Sequence, residues 1–444
     1  MFHKLIRTFW GDLKGQELTK FLLLSLGFFF LIGSYWPLKT LKDSIFINIV
    51  GPEYIPMAKI LSLTIFFPLV MIYSKLVDVF VKEKMVYLFV GFYGITGLMF
   101  VYFFLHPTIG LQNSIQSSSR LIGWLFFLYV DSYVSLMISL FWSFTHDITT
   151  PESAKKGYGL IIFGTQLGGF LLTLLGNRLS ANPELYASRA PLIAFISICL
   201  FSCIALVTFL LHKIVAKEIL EGYEDNVTGP AVEEPTSVGF LDGLKLLVTH
   251  PYVAGIFFII FFHEFVATIM HFQLMLQAKQ TYVAAGLVNK FLFDYALAVQ
   301  GTACLFGLVG TSFFQRRFGI RFCLIAYPLL LGLSIIYYLT NPTLLSIFYV
   351  MLIAKAINFA FNQPAKEVLY IPTTKNIKYK SKAWIDMFGM RFSKAAGSTA
   401  NNFIVTMSQL TGPIVLSLIV LWAILASTIG KTFNKAIADK KIID

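Results

Sequence analysis

Five short stretches of an otherwise apolar chain carry charges at helical spacing, and most of that charge suits anion binding. Tyr35, Lys39 and Lys42 in SYWPLKTLKDS follow i, i+4, i+7 spacing and share one helix face. Lys39 and Asp43 are four apart, so they can pair. Lys355, Asn358 and Asn362 form a second stripe, and Arg391, Lys394, Ser398 and Asn401 a third. Phosphate oxygens in a dry site need such cations and N–H donors. A fourth stripe is acidic: Glu264, Thr268 and His271, with His263 alongside. The fifth runs through Asp131, Ser135, Ser139, Trp142 and His146, and ends beside Asp147.

A charge at mid-bilayer costs about 2.5–3.5 kcal/mol on insertion scales, so each one needs a reason. Lys39 and Lys42 either snorkel to the outer surface or meet a ligand. Asp147 is a solvated helix end or a coupling group, and Asp131 lies deeper, facing the helix bundle. Glu264 sits about 12 residues into its apolar run, roughly 18 Å deep. A carboxylate there is held by a cation or takes up a proton. His263 and His271 fit polar packing or ligation, and no His/Cys cluster argues for a metal. Gly164, Gly168 and Gly169 form a small-residue face for helix packing. No G-K-[ST] follows them, so they are not a phosphate loop. Cys199, Cys203, Cys304 and Cys323 lie in or beside apolar segments without a C-x-x-C, which argues against disulfides and metal. No nucleophile–base pair is present, so the chain does not read as an enzyme, and no cofactor is implied. With 45 Phe and 20 Tyr, aromatic residues are too many to single out a stacking platform.

The elements that must position these residues are membrane helices. Hydrophobic types make up 57% of the 444 residues and charged types 13%, against about 25% charged in soluble domains. The net charge of +12 is spread over short loops rather than gathered in a basic domain, so it points away from nucleic acid. Residues 1–20 are amphipathic and no cleavage site follows, so the first apolar run is expected to stay as a helix. Runs of about 20 apolar residues fall at 21–43, 56–79, 86–105, 120–146, 157–178, 190–212, 252–277, 290–313, 320–339, 343–361, 383–408 and 411–430. Lys and Arg alternate between the connections. One side begins with Lys4, Arg7, Lys14 and Lys20 and ends with Lys431, Lys435, Lys440 and Lys441. The other has few, among them Arg178, Arg189, Lys279 and Lys290. The rich side faces the cytoplasm, which places both termini there. The acidic Gly/Pro-bearing segment 216–247 reads as a flexible linker. The expected fold is all-α integral membrane: 12 transmembrane helices in two six-helix bundles, major-facilitator-like. The bundles are residues 1–215 and 248–444, and parallel repeats of this kind imply alternating access around a midplane site.

PLKTLKDSI in the first run, FWSFTHDITTPESAKKGYG after the fourth, and KEVLYIPTTKNIKYKSKAWIDMFGMRFSKAAGS around the eleventh resemble the bacterial and plastid nucleotide transporters. These are the ATP/ADP translocases of obligate intracellular bacteria and plastids. The resemblance runs through both halves. It implies nucleotide import across the inner membrane, often ATP against ADP, with some members taking up nucleotides with protons and some carrying NAD. The family's K-D lysine matches Lys42 and the basic residue before it Lys39. Its acid before I/V-T-T matches Asp147, its span 7 acid Glu264, and its G-K-S-G-G lysine Lys394. Phe265-Val266-Ala267-Thr268 stands where the family carries Trp-Lys, and S-K-A-A-G replaces G-K-S-G-G. These departures bear on strict exchange, not on the fold.

The resulting expectation is a monomeric nucleotide carrier in the inner membrane, exchanging ATP-type for ADP-type substrate. The alternatives are proton-coupled uptake of a nucleotide or NAD, and a major-facilitator carrier for another organic anion. Lys39, Lys42, Lys355, Arg391 and Lys394 would bind phosphate. Asp43, Asp147 and Glu264 would gate or couple. Tyr35, Asp131, His271, Asn358, Asn362 and Asn401 would line the cavity.

Overall fold

The computed structural model describes residues 13–80, 82–149, 151–220, 245, 247–309, 318–370, 372–373, 381, 384–406 and 411–439. Most of the expected linker lies outside these residues, as do the first 12 residues, the last five, and parts of the KEVLYIPTTKNIKYKSKAW motif. The main helices are α1 (Gly15–Ile49), α2 (Ile55–Val79), α3 (Lys82–Leu105), α4 (Leu121–Asp147), α5 (Pro151–Leu179) and α6 (Tyr186–Ile214). They continue with α7 (Pro251–Thr281), α8 (Ala285–Val309), α9 (Ile320–Thr340), α10 (Leu344–Ile357), α11 (Met390–Thr406) and α12 (Thr411–Ala438).

Among the described residues, nine helices are long and apolar enough to cross a membrane. Twelve spans were expected, and α8, α10 and α11 are the three that fall outside the nine. α10 has only 14 residues before a π-helical turn at Asn358–Asn362, and the helix Gln363–Leu369 continues it. α11 follows a second π-helical turn, Ile385–Gly389, and its 17 residues are rich in polar types. Apolar periodicity does not register either irregularity. α1 is the reverse case, since its 35 residues run about 52 Å, well beyond the roughly 30 Å hydrocarbon core.

Local chemistry accounts for the helix ends. Pro151 and Pro251 stand at the first helical position, where the missing N–H is no loss. Thr343 and Ser346 form a reciprocal capping box at the start of α10. Pro37, Pro68, Pro191 and Pro328 lie inside helices, a placement that neighbouring membrane helices tolerate.

The chain divides into two compact units. Unit 1 is Met1–Gly51, Thr64–Val232 and Tyr282–Cys304, and unit 2 is Pro52–Leu63, Glu233–Thr281 and Leu305–Asp444. Each therefore takes a segment from the other half of the sequence: the start of α8 in unit 1, and the start of α2 in unit 2. In unit 1, α1 is the central helix, packed by α4, α5 and α6, with Phe28, Leu31 and Leu38 fully buried. Gly164 and Gly168 of α5 lie against the backbone of Ser25 and Phe29 in α1. A Cβ at either glycine would collide, as a small-residue packing face requires. In unit 2, α7 packs on α11 and α12, and α12 on α9. Exposed Phe92, Ile95, Met99 and Tyr102 on α3 form an apolar stripe suited to lipid.

Candidate substrate site

Unit 1 holds a buried lysine between two carboxylates. Lys42 Nζ donates to Asp131 Oδ1 at 2.7 Å and lies 3.5 Å from Asp43 Oδ1. Its side chain is 9% exposed and that of Asp131 26%. The ammonium also sits 4.1 Å from the Phe127 ring centroid, a further attraction for a desolvated cation. Lys39, one turn earlier, lies 4.4 Å over the Trp36 ring and 5.8 Å from that of Tyr35. The expected face of Tyr35, Lys39 and Lys42 is thus formed, but Lys42 reaches Asp131, 89 residues away. Asp147 is exposed at the end of α4, 16 positions beyond Asp131 and so about 24 Å along the helix.

Unit 2 holds the converse arrangement. Glu264 has a side chain only 13% exposed, and Lys394 Nζ lies 3.6 Å from its Oε2, with the lysine 48% exposed. Lys355 and Lys366 add coulombic attraction to Glu264. On its other side, His263 Nε2 is 3.9 Å from Glu264 Oε1, and His263 Nδ1 is 2.7 Å from the Tyr327 hydroxyl. The imidazole packs beside Trp422, which is itself fully buried.

The amide stripe is also in place. Asn362 Nδ2 donates to Asn358 Oδ1 at 2.8 Å, both residues buried within the first π-helical turn. π-Turns are frequent at functional sites, and the two here lie beside the basic residues of α10 and α11. Ser398 and Asn401 are buried on the Lys394 helix, and Ser398 Oγ and Asn401 Oδ1 make no hydrogen bond. Arg391 and His271 are half-buried. Among the described residues no group of three His, Cys, Asp or Glu could hold a metal.

Sequence reasoning missed a polar clasp in unit 1. Asn177 Nδ2 at the end of α5 donates to Asp294 Oδ1 of α8 at 2.6 Å, and Lys290 lies 3.7 Å from Asp294 Oδ2. Asn289 Nδ2 donates to Ser180 Oγ at 2.9 Å, and Asn48 Nδ2 to the Ala285 carbonyl at 3.3 Å. Gly286 lies against the backbone of Pro183, with no room for a side chain. The available signal was an Asn and an Asp inside apolar runs. At the opposite end of α1, buried Lys20 donates to the carbonyls of Ile148 and Ile219. Ser153 Oγ donates to Glu17 Oε1 at 2.5 Å there.

Comparison with known proteins gives these features a context. The family model described as TLC ATP/ADP transporter matches residues 1–433. The chain is similar to "ADP,ATP carrier protein 3" of Rickettsia bellii (strain RML369-C), 22% identical and covering 96% of this chain and 95% of that one. It is also similar to "ADP,ATP carrier protein 1, chloroplastic" of Arabidopsis thaliana, 23% identical over 96% of this chain and 76% of that one. Among solved structures, a bacterial homolog of the human lysosomal transporter Spinster, inward-facing and unoccupied, aligns with a TM-score of 0.60 at 15% identity, covering 95% and 98% of the two chains. That likeness shows the fold, an all-α multi-pass architecture like that of major-facilitator transporters.

Proposed function

Because the chain belongs to the TLC ATP/ADP transporter family, and so transports a small organic solute across a membrane, we propose that its cargo is a nucleotide and that uptake is coupled to protons. The cargo follows from the cations. Lys39 and Lys42 in unit 1, with Lys355, Arg391 and Lys394 in unit 2, supply the positive charge that phosphates need. The name of the Rickettsia relative supports the same cargo. NAD, a dinucleotide, presents the same phosphate chemistry.

The observation that carries the coupling is the pairing of two of these lysines with carboxylates. Lys42 already meets Asp131 and Asp43, and Lys394 already meets Glu264. An unpaired charge in the membrane is expensive, so an obligate exchanger is best served by a cavity left charged when empty. Here two of the lysines have carboxylate partners within the protein, which lowers the cost of return without cargo. A bound phosphate would take the lysines and leave a carboxylate to be protonated. A second reading, strict ATP/ADP exchange, draws on the relatives' names and on the same lysines.

In this reading the chain has 12 transmembrane helices in two six-helix bundles, 1–215 and 248–444, joined by a cytoplasmic linker. It works by alternating access as a monomer in the inner membrane, with both termini in the cytoplasm. The start of α2 and the start of α8, each the second helix of its half, group with the other half of the sequence, a correspondence that supports two equivalent repeats. The clasp between α5 and α8 lies at the helix ends away from the basic loops, and it would open once per cycle. Purified protein in liposomes tests the proposal. Empty vesicles with an acidic exterior should accumulate labelled nucleotide. Uptake that requires internal nucleotide and ignores the pH gradient would establish exchange instead.

A further inference from the structure

We propose that His263, held by Tyr327, is the neutral partner that receives Glu264 when substrate draws Lys394 away, and that this change of partner loads the proton. The inference rests on the proton-coupled reading above and names the residues that perform the coupling.

Glu264 stands between two partners of different charge. Lys394 of α11 is 3.6 Å from Oε2, and His263 Nε2 is 3.9 Å from Oε1. The lysine is half exposed, whereas His263 is 6% exposed at its side chain. One partner can therefore turn to a ligand and the other cannot. The other charged groups acting on the pair are Lys355 of α10 and Lys366 of the helix after it. Tyr327 of α9 and the indole of Trp422 in α12 close the far side of the imidazole.

The Tyr327 hydroxyl sets what His263 offers. A hydroxyl can donate or accept, and a neutral imidazole carries one N–H. When Tyr327 donates to Nδ1, the hydrogen is on Nε2, the nitrogen that lies 3.9 Å from Glu264 Oε1. That N–H suits both forms of the carboxyl group: it donates to a carboxylate, or to the carbonyl oxygen of the protonated acid. It brings no positive charge, unlike Lys394. A carboxylate moved from a cation to a neutral donor in a low-dielectric site binds a proton more readily. The proton comes from hydronium at the open face, leaving water, and returns to water when Lys394 is released by phosphate and pairs again. Glu264 is thus the proton site, and His263 and Tyr327 are positioning residues.

The test uses two assays on the same proteoliposomes. Nucleotide counterflow at equal pH on both sides needs no net proton movement. Uptake into empty vesicles driven by external acid does. Tyr327→Phe and His263→Phe should keep counterflow within about twofold and lose about tenfold in gradient-driven uptake, the worth of one buried hydrogen bond. His263→Gln, whose amide N–H reaches the Nε2 position, should restore most of the gradient-driven uptake. Undiminished gradient-driven uptake in both Phe variants overturns the inference. So does an equal fall of both assays in the Phe and Gln variants alike, which indicates a packing role only. If the unaltered chain shows counterflow without gradient-driven uptake, the proton-coupled reading fails and the inference with it. If it shows no nucleotide counterflow, the cargo itself is wrong.

Discussion

The two ion-pair clusters use the same chemistry with the burial reversed. In unit 1 the lysine is enclosed, with Lys42 at 9% exposure, and its partner Asp131 is the more open at 26%. In unit 2 the carboxylate is enclosed, with Glu264 at 13%, and Lys394 reaches out at 48%. Lys42 also has a second carboxylate and an aromatic face, whereas Lys394 has one ion-pair partner at a looser 3.6 Å. A buried charge is costly to leave without its partner, and an exposed one is free to exchange partners. In the proposed reading the difference divides the labour: Lys42 would hold unit 1 together and attract anions from a fixed position, while Lys394 would turn from Glu264 to a ligand.

The largest expected effect breaks the enclosed cluster. Lys42→Met strands Asp131 and Asp43 without their cation, at about 3–5 kcal/mol for an uncompensated buried pair. The folded yield after detergent extraction should fall sharply. Adding Asp131→Asn should recover yield but not uptake, which separates the stabilising role of Lys42 from its phosphate role. Recovery of both would make Lys42 structural only.

Next comes the mobile lysine. Lys394→Gln should lower yield less than Lys42→Met, because the new amide can still donate to the enclosed Glu264 and Lys355 and Lys366 still attract that carboxylate. Uptake should fall at least tenfold, the loss of one charge-assisted hydrogen bond to phosphate of about 1.5–3 kcal/mol. A fall in yield as large as that of Lys42→Met would cancel the proposed division between the clusters.

The smallest effect belongs to the clasp. Asp294→Asn removes the Lys290 attraction and weakens the bond from Asn177, a loss of about 1 kcal/mol. With Val288→Cys as the reporter, a buried position at the same end of α8, labelling by a membrane-impermeant thiol reagent in whole cells should then be a fewfold faster. Unchanged labelling would remove the clasp from the gating cycle.

How much of this was legible follows the range of each interaction. The Tyr35–Lys39–Lys42 and Lys394–Ser398–Asn401 faces are local consequences of helical spacing, and both appear in the structure. Besides Lys39 one turn back, Asp43 has a second cation beside it, its chain neighbour Lys42 at 3.5 Å. Asp131 reads only as a lining residue, because its partner lies on another helix. Asp294 carries a local pattern only toward Lys290, four residues earlier, and nothing local points to Asn177 as its other partner. The π-helical turns escape too, since one extra residue per turn leaves composition unchanged. Glu264 stood out because a solitary acid near mid-membrane demands a cation, and Lys394 answers that demand. The identity of the cation had to come from packing.

The most direct test of the central claim, that paired lysines recognise phosphate, is ligand-induced thermal stabilisation of the purified protein. A ligand stabilises by RT ln(1 + [L]/Kd), about 2.7 kcal/mol at a hundredfold excess over Kd, which raises Tm by a few degrees in a chain of this size. ATP and ADP should stabilise most, AMP less and adenosine not measurably, and Lys394→Gln should flatten that series. Equal stabilisation by adenosine and ATP, with the series unchanged in Lys394→Gln, would contradict the account.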